Sequence, residues 1–285
     1  MIKNLIDNLL LIIITIAIVL NCPAFCLGDP SYNIEDSTTA APGNSELGTE
    51  LLCSGNLCID TSHTEDVYFY AGTGLDGVRQ KLRVMRDGTE WTYNISNGDY
   101  IAVPLQFGSG QYNVELYRHE AGMRYRRCGN ITLNVVVNDT DEVYLHPNIY
   151  VDYADVDEIY QLMNAMKGGR ELSQSCYFEK VKEYIRDDYC YDYIRAYTRP
   201  IYGGIDPDIR YTVENRMGIC QDLASLAAAL LRAGGIPAKF VVGYADGGCH
   251  AWVEAKIDGA WVMYDPTATV SGMTYAKEYV ATANY

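Results

Sequence analysis

The chain has 285 residues, with 37 Asp and Glu against 22 Lys and Arg and a formal net charge of −15. That balance excludes nucleic acid as a partner, because its phosphates must be met by clustered basic side chains. Hydrophobic residues make up 48%, enough for a sizeable core, and tyrosine is over-used at 25 residues against five phenylalanines. Strand and core packing with the hydroxyl reaching water accounts for so many tyrosines, with a polar-aromatic surface for glycan or peptide contact as the alternative.

The chain opens on an export signal. Lys3 supplies a thin positive start, Leu9 to Leu20 are apolar apart from Thr15, and the small residues Ala24 and Gly28 follow. An apolar stretch of that length falls short of the roughly 20 residues that span a bilayer. Residues 1–28 therefore read as a signal peptide cleaved between Ala24 and Asp29, with a retained anchor as the alternative. Neither Cys22 nor Cys26 has the small preceding residue that lipidation requires. The mature chain is expected to be secreted or held in the cell envelope, and losing Lys3 and Asp7 leaves its net charge at −15.

Residues 29–60, which include Asp36 to Ser45 (DSTTAAPGNS), have linker composition and are expected to lack fixed structure. Residues 61–148 follow period two: Leu82 and Val84, a turn at Asp87-Gly88, then Trp91, Tyr93 and Ile95. After a turn at Asn97-Gly98 come Tyr112, Val114 and Leu116, and then Ile131, Leu133, Val135 and Val137. Short strands with regular turn signals predict a small β-sandwich. No nucleophile, metal cluster or phosphate loop stands in it.

From about 149 to 285 the period becomes helical. Ile159, Leu162, Met163 and Met166 mark one helix, ended by Gly168-Gly169; Phe178, Val181, Tyr184 and Ile185 mark a second. The acidic group Asp152, Asp155, Asp157 and Glu158 reads as a helix start rather than a calcium site. After a Tyr-rich loop, Leu223, Leu226, Ala227, Leu230 and Leu231 mark a third helix, closed by Gly234-Gly235 and Pro237. Strands follow from about 238, 250 and 260. Helices followed by an antiparallel sheet make an α+β domain.

Seven cysteines remain after residue 28, at 53, 58, 128, 176, 190, 220 and 249. An odd count fits one reserved thiol, and the other six allow three disulfides in any of 15 connectivities. Cys53 with Cys58 and Cys176 with Cys190 are two candidate pairs. A zinc site from Cys53, Cys58 and His63 lacks a fourth ligand at a recognisable spacing.

The chemistry lies in the last third. Cys220 stands at the front of the third helix, facing unpaired backbone N–H groups and the positive end of the dipole, which favour a thiolate and could help bind an oxyanion. Val253 to Ile257 and Ala260 to Tyr264 are strand-like and joined by Asp258-Gly259, a tight-hairpin signal. If those two residues form the turn, Ile257 pairs with Ala260 and Trp252 with Asp265. His250 is then on the same face as Asp265 and diagonal to it. Asp265 can hold the imidazole's tautomer and leave the other ring nitrogen for the thiol, whereas a register slip of one would separate them. Taken singly, a cysteine, a histidine before an aromatic and an Asp-Pro-Thr turn have ordinary structural readings; together and in this order they read as a Cys-His-Asp triad. Cys249 faces away from His250 if the strand already begins there. If the strand begins only at His250, Cys249 lies in the mouth of the site and could pair with Cys220 as a resting disulfide.

The stretches GICQDLASLAAALLRAGGIPAKFVVGY and HAWVEAKIDGAWVMYDPT resemble the motif of the transglutaminase-like proteins, relatives of the papain-like thiol enzymes. The resemblance covers residues 150–285 and implies a papain-like core, with Cys220 as nucleophile, His250 as general base and acid, and Asp265 as its orienter. The sandwich is similar to the β module that precedes the thiol domain in some secreted bacterial members. The family's side-chain oxyanion donor comes from an upstream segment, where Tyr191 and Tyr193 are the candidates. The implied activity is acyl transfer at amide bonds, as transamidation and crosslinking, deamidation or proteolysis. No cofactor is implied. Substrates are expected to be proteins or peptides at the cell surface or in the wall, and the chain is expected to act as a monomer. The alternative is a non-catalytic surface-binding protein on the same fold.

Overall fold

The computed structural model describes residues 48, 50–65, 67–96, 100–198, 207–272 and 274–285. The export signal, most of the 29–60 stretch and the Asn97-Gly98 turn lie outside them.

Eight strands form the first half: β1 (Leu51–Ser54), β2 (Leu57–Asp60), β3 (Tyr68–Thr73), β4 (Gln80–Arg86), β5 (Thr89–Ile95), β6 (Ile101–Pro104), β7 (Gly110–Ala121) and β8 (Arg124–Val135). They make two antiparallel sheets, in the orders β1-β2-β3-β6 and β5-β4-β7-β8. The alternating residues Leu82, Val84, Tyr93, Tyr112, Val114, Leu116, Ile131, Leu133 and Val135 all turn inward and are buried, as period two requires.

Ordered structure reaches into the expected linker. Residues 51–60 are the hairpin β1–β2, with Leu57 and Ile59 buried. Cys53 and Cys58 face each other across it and are joined by a disulfide, which rules out the zinc set that needed both as thiolates. The polar run Asp36 to Ser45 suggested a linker for the whole of 29–60, but a crosslink and two buried apolar residues order its last ten residues. The three disulfides that six cysteines allowed are not formed among the described residues: Cys176 and Cys190 are not joined, and Cys128, Cys220 and Cys249 likewise stand outside any disulfide.

The second half runs α1 (Asp157–Lys167), α2 (Gln174–Asp188), β9 (Cys190–Tyr191), α3 (Tyr193–Thr198), α4 (Ile209–Asn215), β10 (Met217–Gly218), α5 (Cys220–Ala233), β11 (Ala238–Ala245), β12 (Gly248–Ile257), β13 (Ala260–Tyr264), α6 (Pro266–Ser271) and β14 (Tyr279–Asn284). The antiparallel sheet has the order β13-β12-β11-β14, and β9 and β10 form a short parallel pair. Helix α5 is the hub: Leu223, Leu226, Ala227, Leu230 and Leu231 are fully buried, and it packs against β11, β12, α1, α2, α4 and α6. The mixed α+β architecture expected from the sequence is present.

The two halves share one core. Tyr285 reaches Trp91 and Tyr93 of β5 at centroid distances of 5.7 and 6.1 Å, and Tyr150 at 4.2 Å. Tyr150 in turn stacks on Phe240 of β11. Arg232 of α5, 3% exposed, donates from Nε, Nη1 and Nη2 to the carbonyls of Ala238, His146 and Tyr285 at 2.9, 2.6 and 2.7 Å. A buried guanidinium needs such partners, so it ties both halves to the central helix.

Candidate active site

The starts of α5, β12 and α6 carry Cys220, His250 and Asp265. Ile219 is extended (φ −86°, ψ 179°) and caps α5, so Cys220 occupies the first helical position. Asp222, fully buried, accepts from the Ile219 N–H at 3.0 Å, the acidic half of a capping box. It also accepts from Asp208 N–H at 3.3 Å and lies 3.0 Å from Arg195 Nη1. Thus α3 and α4 are both fastened to the turn that presents Cys220. Gly218 permits the close approach, since a Cβ there would meet the Asp222 Cβ at 2.8 Å. Asp222 was visible in the sequence as an acidic residue two positions after the cysteine and was not singled out.

The hairpin register is as the Asp-Gly turn requires. Asp258 (φ 50°) and Gly259 (φ 86°) are both left-handed, and Ile257 pairs with Ala260 and Val253 with Tyr264. One step on, Asp265 leaves the strand and becomes the N-cap of α6, with Pro266 at the first position. Its Oδ1 accepts from the N–H groups of Thr267 and Ala268 at 2.9 and 3.2 Å. Its Oδ2 accepts from His250 Nε2 at 2.8 Å. That leaves Nδ1 for Cys220, whose sulfur helps to raise the imidazole.

A fourth residue was missed. The Tyr279 hydroxyl donates to Asp265 Oδ2 at 2.8 Å, and its ring packs edge-on against Trp252 at 5.2 Å and near His250 at 6.2 Å. Tyr279 opens β14, which joins the sheet through a register shift at Val242/Gly243. Gly243 is required there, because a Cβ would lie 2.1 Å from the Val280 carbonyl oxygen. No motif signals a strand in this segment, so sequence reasoning gave Tyr279 no role.

The charges are mutually supportive. Burial works against a charged imidazole, but the hydrogen bonds and charges of Asp265 and Cys220 outweigh it and raise His250 to about 9. Asp265 is 3% exposed. Burial pushes its carboxyl up, yet donation from His250, Tyr279 and Ala268 holds it below its ordinary value. Tyr279 is pushed up by burial and then by the carboxylate it serves.

Of the two oxyanion candidates, Tyr191 lies beside the thiol. Its strand β9 pairs with Gly218 just before the cysteine. Burial, then the charge on Cys220, pushes its hydroxyl up to about 12. Tyr193 packs edge-on against Tyr191 at 5.0 Å but is 47% exposed. Strand β12 begins at Gly248, so alternation turns Cys249 away from His250; it is exposed and free.

Residues 161–266 match the family profile of the transglutaminase-like superfamily. That span takes in Cys220, His250 and Asp265 and stops short of Tyr279. Over 91 aligned positions, which cover 28% of this chain and 30% of the other, the chain is 35% identical to an uncharacterised protein of Mycobacterium leprae. Over 92 aligned positions, which cover 27% of this chain and 14% of the other, it is 35% identical to a protein-glutamine gamma-glutamyltransferase of Pseudomonas aeruginosa. The chain thus spans less than a third of the length of either relative. Among solved structures, the periplasmic domain of TgpA from Pseudomonas aeruginosa is 14% identical with a TM-score of 0.37, over 79% of this chain and 95% of that one. A structure described as a TGase is 21% identical with a TM-score of 0.37, over 57% of this chain and 47% of that one.

Proposed function

Starting from residues 161–266 as a member segment of the transglutaminase-like superfamily, we propose that this chain is an exported thiol enzyme acting on amide bonds. The observation that carries the reading is the pairing of His250 Nε2 with Asp265 Oδ2 at 2.8 Å, with Cys220 near enough to the same imidazole to help raise it. The Cys220 sulfur attacks a carboxamide carbon. His250 holds the thiol proton and passes it to the departing amine, and Asp265 fixes the tautomer throughout. The oxyanion forms beside the N-terminus of α5, where backbone N–H groups and Tyr191 are the available donors. The acyl-enzyme then passes to an amine, giving a crosslink, or to water, giving deamidation or proteolysis. The transamidase name carried by the Pseudomonas relative favours an amine acceptor as the first to assay. Proteins or peptides at the cell surface are the substrates that export would supply.

Two experiments test this. Cys176 and Cys249 are also exposed thiols, so iodoacetamide labelling must be read by peptide mapping. Cys220 should label fastest and depend on His250. A glutamine peptide offered with and without a primary amine should then show acyl transfer. Slow labelling of Cys220, indistinguishable from that of Cys176, together with no turnover, would leave a binding protein on the same fold.

A further inference from the structure

The acidity of this chain is unevenly spread. Residues 79–127 contain eight of the 22 basic and five of the 37 acidic residues, so this stretch is net +3 while the remainder is net −18. The fold gathers that excess at one end of the β5-β4-β7-β8 sheet. The hairpin of β7 and β8 runs past its last pairing with β4, at Arg118 and Gln80, and Arg118, Arg124 and Arg126 on it are exposed. Arg126 is paired with Glu120, whereas Arg118 and Arg124 have no carboxylate partner among the described residues.

At the foot of this hairpin is an open cleft of about 680 Å³, with Asp76, Arg79, Lys81, Asn94, Ser96 and Tyr125 in its lining. His119 couples hairpin to cleft: its N–H donates to the Arg79 carbonyl at 2.8 Å, its Nε2 lies 2.9 Å from Arg79 Nη2, and its ring meets Tyr125 edge-on at 5.2 Å. Lys81 donates to Asn94 Oδ1 at 2.6 Å, which uses one of the three donors of an ammonium. None of these residues serves the thiol site.

We propose that this cleft and the arginine hairpin above it bind an acidic polysaccharide, a strand of carboxylate-bearing sugars. The volume lies within the usual range of ligand clefts. The lining supplies each kind of group such a sugar needs: a guanidinium and an ammonium for the carboxylate, amide, hydroxyl and carboxylate groups for ring hydroxyls, and a tyrosine face for the apolar side of the ring. The arginines that continue beyond the cleft fit an extended polyanion rather than a single sugar. A site for phosphate alone would use neither Tyr125 nor Asp76.

The test is binding of the purified full chain to polygalacturonate, with dextran, polyphosphate and phosphatidylglycerol vesicles as comparison probes. Polygalacturonate should bind with an affinity that falls as salt rises, and dextran should not bind. The double variant Arg79→Gln, Lys81→Gln should weaken binding by about tenfold or more, the scale of a lost charge-assisted contact. Tyr125→Ala should weaken binding of polygalacturonate and leave any polyphosphate binding unchanged. Circular dichroism and the thermal midpoint verify that the variants fold. Equal binding of polyphosphate and polygalacturonate, insensitive to Tyr125→Ala, would overturn the glycan assignment, as would binding of the vesicles alone or of none of the probes.

Discussion

Tyr279 donates its hydroxyl to the same Asp265 oxygen, Oδ2, that accepts from His250 Nε2, each at 2.8 Å. The carboxylate is then fully occupied, because Oδ1 already accepts two backbone N–H groups at the start of α6. A carboxylate with four donors cannot swing away from the imidazole without leaving a buried acceptor unpaired. Its charge is also shared, so it supports the imidazolium less strongly than a bare carboxylate would. Tyr279 is therefore a positioning residue, acting on the thiol only through Asp265 and His250.

Replacing Tyr279 by Phe keeps the ring against Trp252 and removes only the donor. Loss of a hydrogen bond to a charged group costs about 1.5–3 kcal/mol, so acyl transfer should slow by about tenfold or more. The Asp265 charge becomes less shared and holds the imidazolium more firmly, so the titration of His250, followed by NMR of the ring, should move upward. A slower enzyme with an unmoved titration would reduce Tyr279 to packing.

The sequence carried the hairpin geometry because two local rules cooperate. Asp258-Gly259 forces a two-residue turn, and the turn fixes which residue opposes which, so the meeting of His250 and Asp265 followed from counting. Tyr279 was not legible because β14 reads Tyr-Val-Ala-Thr-Ala-Asn, with small and polar residues that are half exposed and an alternation broken by a bulge at Thr282, between the residues that face Val242 and Gly243. The shared core was hidden for a related reason. Tyr93, Tyr150 and Tyr285 carry no periodic signal as a group, and only the folded chain brings their rings together. The β1–β2 hairpin was obscured by its neighbour, since the polar run Asp36 to Ser45 extended the linker reading over an apolar stretch that a turn at Gly55 and a disulfide fold into a hairpin.

Cys220→Ala should abolish turnover and leave stability to urea within about 1 kcal/mol, since a partly buried side chain at the first position of a helix removes little packing. The sulfur beside His250 is lost, but Asp265 still holds the ring. Residual turnover above the uncatalysed rate would remove Cys220 from the role of nucleophile.

Asp265→Asn should fold, because asparagine caps helices as well as aspartate does and can keep both backbone N–H groups of α6. Its amide would then point an N–H₂ at His250 Nε2 and at the Tyr279 hydroxyl, both of which donate in the native site. The ring must respond by moving its proton to Nδ1, the nitrogen needed by the thiol. The rate should fall by about three to four powers of ten, the scale of a wrong-tautomer defect in a triad. Wild-type rates in this variant would show that Asp265 only caps α6.

Arg232→Met offers a contrast, a change felt by the fold rather than the chemistry. It strands the carbonyls of Ala238 and His146, which accept from the guanidinium in the interior, and takes one of two donors from that of Tyr285, which keeps the Phe240 N–H at 2.9 Å. Each unpaired buried acceptor costs about 1–3 kcal/mol, so unfolding stability should drop by at least about 2 kcal/mol. The labelling rate of Cys220 per folded molecule should stay unchanged. A destabilisation below about 1 kcal/mol would mean that water replaces the guanidinium without loss.

The site also predicts how stability follows pH. His250 is raised from an ordinary value of 6.5 to about 9 by Asp265 and Cys220 against the pull of burial. A group whose value is raised by folding contributes stability that is fully present below its unfolded value and is lost as pH rises through its folded one. The His250 contribution should therefore be intact below about pH 6.5 and fade by about pH 9. Asp265 has the opposite sign: its depressed value gives stability that is present above 3.8, its unfolded value, and is lost as pH falls below it. Urea unfolding at pH 6, 8 and 9.5 should show a decline for the native chain, and His250→Gln should remove that slope, leaving the decline due to other groups. The same alkaline slope in both proteins would mean that the imidazolium is not stabilised by the residues packed around it.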